Sequence, residues 1–192
     1  MKNKTVRWIG TVVMISIPIL FSCASNQPRP TKQAEGFFDL GTRHLDQGEY
    51  DQAISSYNKA LEISPKYAEA YLNRGIAYRR KGQHDQAISD YSAVLLIDSK
   101  DARAYCNRGN AYTEKGQYDR AISDYNKALE LNSKDPQVFF NRGVAYYSIK
   151  EYDKSWADIK KARDLGYQIP PDFLEDLRKA SGRQQGECRC DE

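Results

Sequence analysis

Asn73-Arg74-Gly75-Ile76-Ala77-Tyr78 recurs as Asn107-Arg108-Gly109-Asn110-Ala111-Tyr112 and again as Asn141-Arg142-Gly143-Val144-Ala145-Tyr146, each copy 34 residues after the last. Downstream, Asp85-Gln86-Ala87-Ile88-Ser89-Asp90-Tyr91 matches Asp119-Arg120-Ala121-Ile122-Ser123-Asp124-Tyr125 in the same register. A more diverged copy begins near Ala34 and carries Gly41, Gly48, Ala53 and Tyr57 in the matching slots. A fixed period of this length marks an array of one supersecondary unit. The units run 34–67, 68–101, 102–135 and 136–169.

Each unit reads as two helices. Apolar residues return at helical spacing, as Tyr71, Gly75 and Tyr78 do, and then Ala87, Tyr91 and Val94. Gly48, Gly82 and Gly116 fall where a first helix must end in a left-handed residue, and Lys150 in that slot predicts a less regular fourth turn. Asp101 and Asp135 are placed to cap the helices that follow, with Pro136 suited to a first helical position. Gly41, Gly75, Gly109 and Gly143 on the first helices are expected to face Ala53, Ala87, Ala121 and Ser155 on the second. Small residues at such a crossing let two axes approach, and large aromatics then fill the space beside them. Tyr57, Tyr91 and Tyr125, with Tyr78, Tyr112 and Tyr146, fit that role and account for the high count of 14 tyrosines.

A 34-residue period with small and aromatic residues in these slots resembles the tetratricopeptide repeat. The resemblance covers residues 34–169, about seven-tenths of the chain. It implies an all-α, right-handed superhelical solenoid of four helix-turn-helix repeats, curved so that each first helix lines a concave groove. The last repeat of such a stack needs a lid. Pro170-Pro171-Asp172 followed by Phe173, Leu174 and Leu177 supplies a capping helix over 170–180. Residues 23–33 and 181–192 are polar and rich in Pro, Gln or Gly, which reads as linker and tail.

The four copies can be compared within one chain. Unit one has Leu40 before its glycine and Ser56 before its tyrosine. The others pair Arg74 with Asp90, Arg108 with Asp124 and Arg142 with Asp158. Three intra-repeat bridges are expected, partly exposed, each contributing about 0–1 kcal/mol and serving to fix helix register. Shared duplication history explains the same pattern.

The first 22 residues read as an export signal. Lys2, Lys4 and Arg7 make a basic head before the apolar stretch Trp8 to Phe21. As a helix that stretch would reach only about 21 Å, short of a hydrocarbon core of ~30 Å. It ends in Leu20-Phe21-Ser22-Cys23, which resembles the lipobox of bacterial lipoproteins and implies a lipid on the Cys23 sulfur. The plainer alternative is a secretory signal cleaved near Ala24. Ala24 stands where an inner-membrane retention signal would place Asp, so the expected location is the outer membrane, facing the periplasm. That leader holds three of the 29 basic residues and none of the 26 acidic ones, so the remainder balances at 26 each. A neutral chain lacks the basic footprint that phosphate binding needs, and nucleic acid is excluded as a partner.

Catalytic chemistry is not legible. His44 takes the slot of Tyr78, Tyr112 and Tyr146, and His84 that of Tyr50, Tyr118 and Tyr152, so both read as variants of structural aromatics. No glycine-rich phosphate loop, metal-ligand cluster or cofactor motif is present in the sequence. Cys188 and Cys190 are open to a strained disulfide, a metal or a partner thiol, but read best as an incidental tail. Cys106 is either a reactive groove thiol or a small apolar filler, and the filler is favoured.

Carried over position by position, the resemblance gives the groove three rows. Phe38, Leu72, Cys106 and Phe140 form an apolar row, Asp39, Asn73, Asn107 and Asn141 a polar row beside it. Thr42, Ile76, Asn110 and Val144 lie one turn on, with Arg79, Arg80, Arg103, Glu69, Glu114 and Tyr147 at the rims. A carboxamide both donates and accepts, so evenly spaced asparagines can hold the backbone of an extended peptide. Each such bond nets about 0.5–1.5 kcal/mol, and the apolar row must add the rest. Asparagine without a ligand is equally at home in this slot. Phe38 and Thr42 stand where the repeats that clamp chaperone carboxyl termini carry lysine and asparagine, so that clamp is not expected. The function expected is a non-enzymatic adaptor binding partner proteins at the membrane. The alternative is a permanent structural subunit of an envelope assembly, of the pilus or secretion kind.

Overall fold

The structure is a computed structural model that describes residues 29–182. The expected export signal of residues 1–22, Cys23, Cys188 and Cys190 lie outside the described residues. Among those described, the secondary structure is entirely helical: α1 (Lys32–Asp46), α2 (Tyr50–Ile63), α3 (Ala68–Arg80), α4 (His84–Ile97), α5 (Ala102–Glu114), α6 (Tyr118–Leu131), α7 (Pro136–Ser148), α8 (Tyr152–Asp164) and α9 (Pro171–Ser181). Consecutive helices pack as four pairs, each pair stacks on the next, and the odd-numbered helices from α1 to α7 also touch one another along one side. The result is a helical solenoid with a final helix laid over its end. Among the described residues no helix is long and apolar enough to cross a membrane.

The turns within pairs follow one design. Gly48, Gly82 and Gly116 have φ of 75°, 74° and 70°. The amide three residues beyond each first helix returns to its last turn, as Gln83 N does to the Tyr78 carbonyl at 2.9 Å and Gln117 N to that of Tyr112 at 2.8 Å. The fourth turn departs from expectation. Lys150 adopts φ 64°, and Glu151 N still reaches the Tyr146 carbonyl at 2.9 Å, so the turn is as regular as the others. Stacking forces the geometry, and the lysine bears the left-handed strain, roughly 1–2 kcal/mol for a residue with a Cβ. Asp101 and Asp135 cap α5 and α7 through their side chains.

The expected glycine–alanine crossing is also corrected. A Cβ on Gly41, Gly75 or Gly109 would lie 2.7 Å from a ring carbon of Tyr57, Tyr91 or Tyr125. Each glycine makes room for the tyrosine of its own pair, and those rings are 0–1% exposed. In the fourth pair Ile159 takes the tyrosine slot, while Ser155 donates to the Gly143 carbonyl at 2.8 Å. Leu177 of α9 occupies the same register as these glycines. Among the described residues no second helix follows it, and the larger side chain is fully buried against Trp156 and Ile159.

All three arginine–aspartate pairs form, each as a two-pronged bridge: Arg74 to Asp90 at 2.8 and 2.7 Å, Arg108 to Asp124 at 2.7 and 2.8 Å, Arg142 to Asp158 at 2.7 and 2.7 Å. The pairs are partly exposed, as expected, but unevenly: the arginine side chains are 18%, 20% and 19% exposed, whereas the aspartates are sunk to 4%, 6% and 5%. Burial pushes the Asp90 carboxyl above its ordinary range even against the Arg74 guanidinium. A third prong reaches the preceding pair. Arg74 Nη1 donates to Asn58 at 2.6 Å, Arg108 Nη1 to Ser92 at 3.0 Å and Arg142 Nη1 to Asn126 at 2.6 Å. Every one of these arginines therefore ties three helices together, with aromatic rings such as Tyr71 and Tyr78 under the guanidinium of Arg74.

Candidate functional site

The side formed by α1, α3, α5 and α7 carries the residues singled out in the sequence, but burial sorts them differently. Leu72, expected on the groove surface, is 4% exposed and belongs to the core with Tyr91 and Ala104. Its equivalents Phe38, Cys106 and Phe140 are only partly buried, so Leu72 alone of that row is lost from the site. Phe38 leans on Tyr57 and Tyr67, with ring centroids 5.8 and 5.0 Å away. Ile76 packs on the same core as Leu72. Tyr147 contacts Tyr152 and Phe173, 5.9 and 5.5 Å between centroids. Only part of the apolar row remains available to a ligand.

The asparagines occupy three different surroundings. Asn73 lies by the Tyr57 hydroxyl, which itself donates to Thr42 Oγ1 at 3.3 Å. Asn107 lines a cavity of about 220 Å³ with Arg103, Cys106, Asn132 and Asp135. Burial pushes the Cys106 thiol up to about 11, so it stays protonated near neutrality and has filler rather than nucleophile character. Arg103, at the rim, is held by Glu69 at 2.6 Å and Asp101 at 2.8 Å.

Asn141 belongs to a second cavity of about 300 Å³ between α3, α5 and α7, which Phe140 and Val144 line on an apolar side and Asn110, Thr113, Gln137 and Arg79 on a polar one. Asn141 Nδ2 donates to Asn110 Oδ1 at 2.9 Å, and the Tyr125 hydroxyl donates to the same oxygen at 2.8 Å. Phe140 is fixed from behind by Tyr167, stacked at 4.9 Å, and by Phe173. Arg79 Nη1 donates to Glu114 Oε1 at 2.6 Å, while its Nε is buried without a partner. Of these, Tyr125 was legible only as a core ring. Its hydroxyl passes between the helices to the groove floor, and burial raises it above the ordinary tyrosine range.

Comparison with known proteins follows this geometry. The family model described as TPR repeat matches residues 41–82, 76–114 and 109–150. The chain is a tetratricopeptide-repeat protein. None of the curated proteins compared matches it in sequence. Among solved structures, the first TPR of Spaghetti (RPAP3), bound to an HSP90 peptide SRMEEVD, is 26% identical with a TM-score of 0.60, covering 61% of this chain and 93% of that one. The second TPR domain of human RPAP3, in complex with an HSP70 peptide SGPTIEEVD, is 26% identical at TM-score 0.59, covering 61% and 98%. A crystal structure of MamA is 26% identical at TM-score 0.66, covering 69% and 77%. Tetratricopeptide repeats are protein-interaction modules, and the first two relatives hold peptides from other proteins.

Proposed function

We propose that this tetratricopeptide-repeat protein is a non-enzymatic adaptor that binds an extended segment of a partner protein in its concave groove. The observation that carries the reading is the cavity between α3, α5 and α7, where oriented carboxamides stand opposite an apolar wall of Phe140 and Val144. That combination suits polypeptide, which offers an amide and a side chain at every residue. Peptides bound to the similar repeats of RPAP3 support it. The chain is further proposed to be anchored in the outer membrane by a lipid on Cys23 and to face the periplasm, a reading supported by the basic head, short apolar stretch and Leu-Phe-Ser-Cys sequence at its start.

A photo-crosslinking residue at Val144 is expected to capture a partner in intact cells, and at Leu96 to capture none. Replacing Asn73, Asn107 and Asn141 together by Ala is expected to abolish that capture while the helical signal stays intact. Cys23→Ser is expected to release the protein from membranes; continued membrane association removes the lipid anchor. One observation favours the rival reading, a permanent envelope subunit gripped by its outer face. Leu96 is 89% exposed on α4, where the equivalent residues are Glu62 and Glu130. Crosslinks from position 96 and none from position 144 would establish that reading instead.

A further inference from the structure

The edge formed by the turns within pairs carries a ladder of ion pairs. Lys81 directly follows α3 and Lys115 directly follows α5. Each sends its ammonium back to the preceding pair, Lys81 to Asp51 in the first turn of α2 and Lys115 to Asp85 in the first turn of α4. Both bridges span 30 positions of the chain. The lysine side chains are only 28% and 26% exposed, whereas the aspartates are 78% and 80% exposed. A lysine stem thus lies covered between neighbouring turns and delivers its charge to a carboxylate at the surface.

The third rung is broken. Ile149 directly follows α7, while the aspartate 30 positions before it, Asp119 in the first turn of α6, is retained. Among the described residues no ion pair or side-chain hydrogen bond engages Asp119. A cavity of about 310 Å³ opens there, walled by Gly116, Gln117, Tyr118, Asp119 and Arg120 on one side and by Ile149 on the other. It shares no lining residue with the groove cavity. Isoleucine is shorter than lysine and carries no charge, so an apolar wall remains and the ammonium that completes the other rungs is missing. The cations nearest in sequence do not replace it. Arg120 lies over the Tyr112 ring, 5.7 Å from its centroid, and donates to Gln117 Oε1 at 3.2 Å. Lys150 fills the glycine slot of its turn and bonds no carboxylate among the described residues.

We propose that this cavity is a docking site for a lysine side chain of a partner protein, which completes the broken rung. The guest ammonium pairs with Asp119, and its stem lies along Ile149 and Tyr118. Within the chain the two intact rungs join the same elements, an aliphatic stem held between turns and a carboxylate at its end. Because Asp119 is exposed, the charge contributes a factor of at most about five in affinity, and salt diminishes it. The site lies apart from the groove and does not depend on what the groove binds.

Titration of nitrogen-15-labelled full-length protein tests it. N-acetyl-lysine methylamide carries stem and ammonium, N-acetyl-norleucine methylamide the stem alone, and N-acetyl-glutamate methylamide the opposite charge. The lysine probe is expected to shift the backbone amides of Tyr118, Asp119 and Ile149, and to leave in place those of Asp51 and Asp85, whose carboxylates are already paired. The norleucine probe is expected to need about threefold higher concentration, a gap that closes at high salt and in Asp119→Asn. Ile149→Lys restores the rung from within, as in the two turns before it, and is expected to abolish the response of Tyr118 and Asp119. Equal shifts at Asp51 and Asp85 would reduce the effect to a general attraction of cations and overturn the site. No response at all, a response that survives Ile149→Lys, or a stronger response to the glutamate probe would overturn it as well, the last by making Arg120 the binding group. Lys150→Gly is expected to leave the titration unchanged; tighter binding in that variant would show Lys150 to be the occupant, against a guest from outside.

Discussion

The first helix pair and the three that follow share a glycine, a buried tyrosine or isoleucine packed beside it and a left-handed turn, yet differ at one linked pair of positions. Where the later pairs carry arginine and aspartate, the first carries Leu40 and Ser56, and Ser56 bonds only within its own helix, to the Gln52 carbonyl at 2.9 Å. The third prong of each arginine explains the difference. It ends on Asn58, Ser92 or Asn126 in the pair before, and among the described residues the first pair has no such predecessor. An arginine at position 40 would have nothing to lock to. Repeat arrays gain cooperativity from interfaces between neighbours, so a polar lock that crosses each interface belongs only to units that have one behind them.

Several substitutions break or sharpen that contrast. The largest effect is expected from Arg108→Ala, which strands the buried Asp124 carboxylate at a cost of about 3–5 kcal/mol. Installing the first pair's solution, Arg108→Leu with Asp124→Ser, is expected to recover most of the loss. Urea unfolding measures both, and a single-variant cost under about 1 kcal/mol would dismiss the lock. Next comes Gly109→Ala. Its Cβ must displace the Tyr125 ring, at about 1–3 kcal/mol. The control is Gly36→Ala in α1, where nothing lies within 4 Å and helix propensity predicts a gain of about 0.5–1 kcal/mol. Leu40→Arg with Ser56→Asp copies the later pairs into the first. Without the third partner the new bridge is expected to change stability by less than about 1 kcal/mol, and a gain well beyond that would show that register within a pair, not coupling between pairs, is what the bridges serve. Smallest of all, Lys150→Gly relieves a left-handed lysine but loosens the unfolded chain, for a net gain of up to about 1 kcal/mol in thermal or urea midpoints.

Legibility varied with the kind of interaction. The arginine–aspartate bridges could be read because four copies of a unit show which positions change together. Their third arm could not, because Asn58 and Ser92 differ in type and only the stacking geometry brings them within reach. The glycines were read correctly as positions of close approach but matched to the wrong partner. Spacing along a helix says which face a residue occupies, and it does not say that a ring two turns along the second helix lies over the glycine. At the groove, Asn141 and Val144 line the cavity, whereas Leu72 is sunk into the core. Equivalent slots in a repeat need not have equivalent exposure.

Periodicity therefore determined, without coordinates, that the chain is a stack of helix pairs, which faces its helices turn to one another and where each first helix ends. Those properties follow from local spacing and from the few residue types a tight turn or a close crossing admits. Only the tertiary structure decided how deeply the aspartates of the charged pairs are sunk, which repeats they join and which groups meet at the Asn110 amide oxygen. These depend on atoms some 15 to 30 positions apart in the chain, and in Tyr125, Asn110 and Asn141 on three helices meeting at one point.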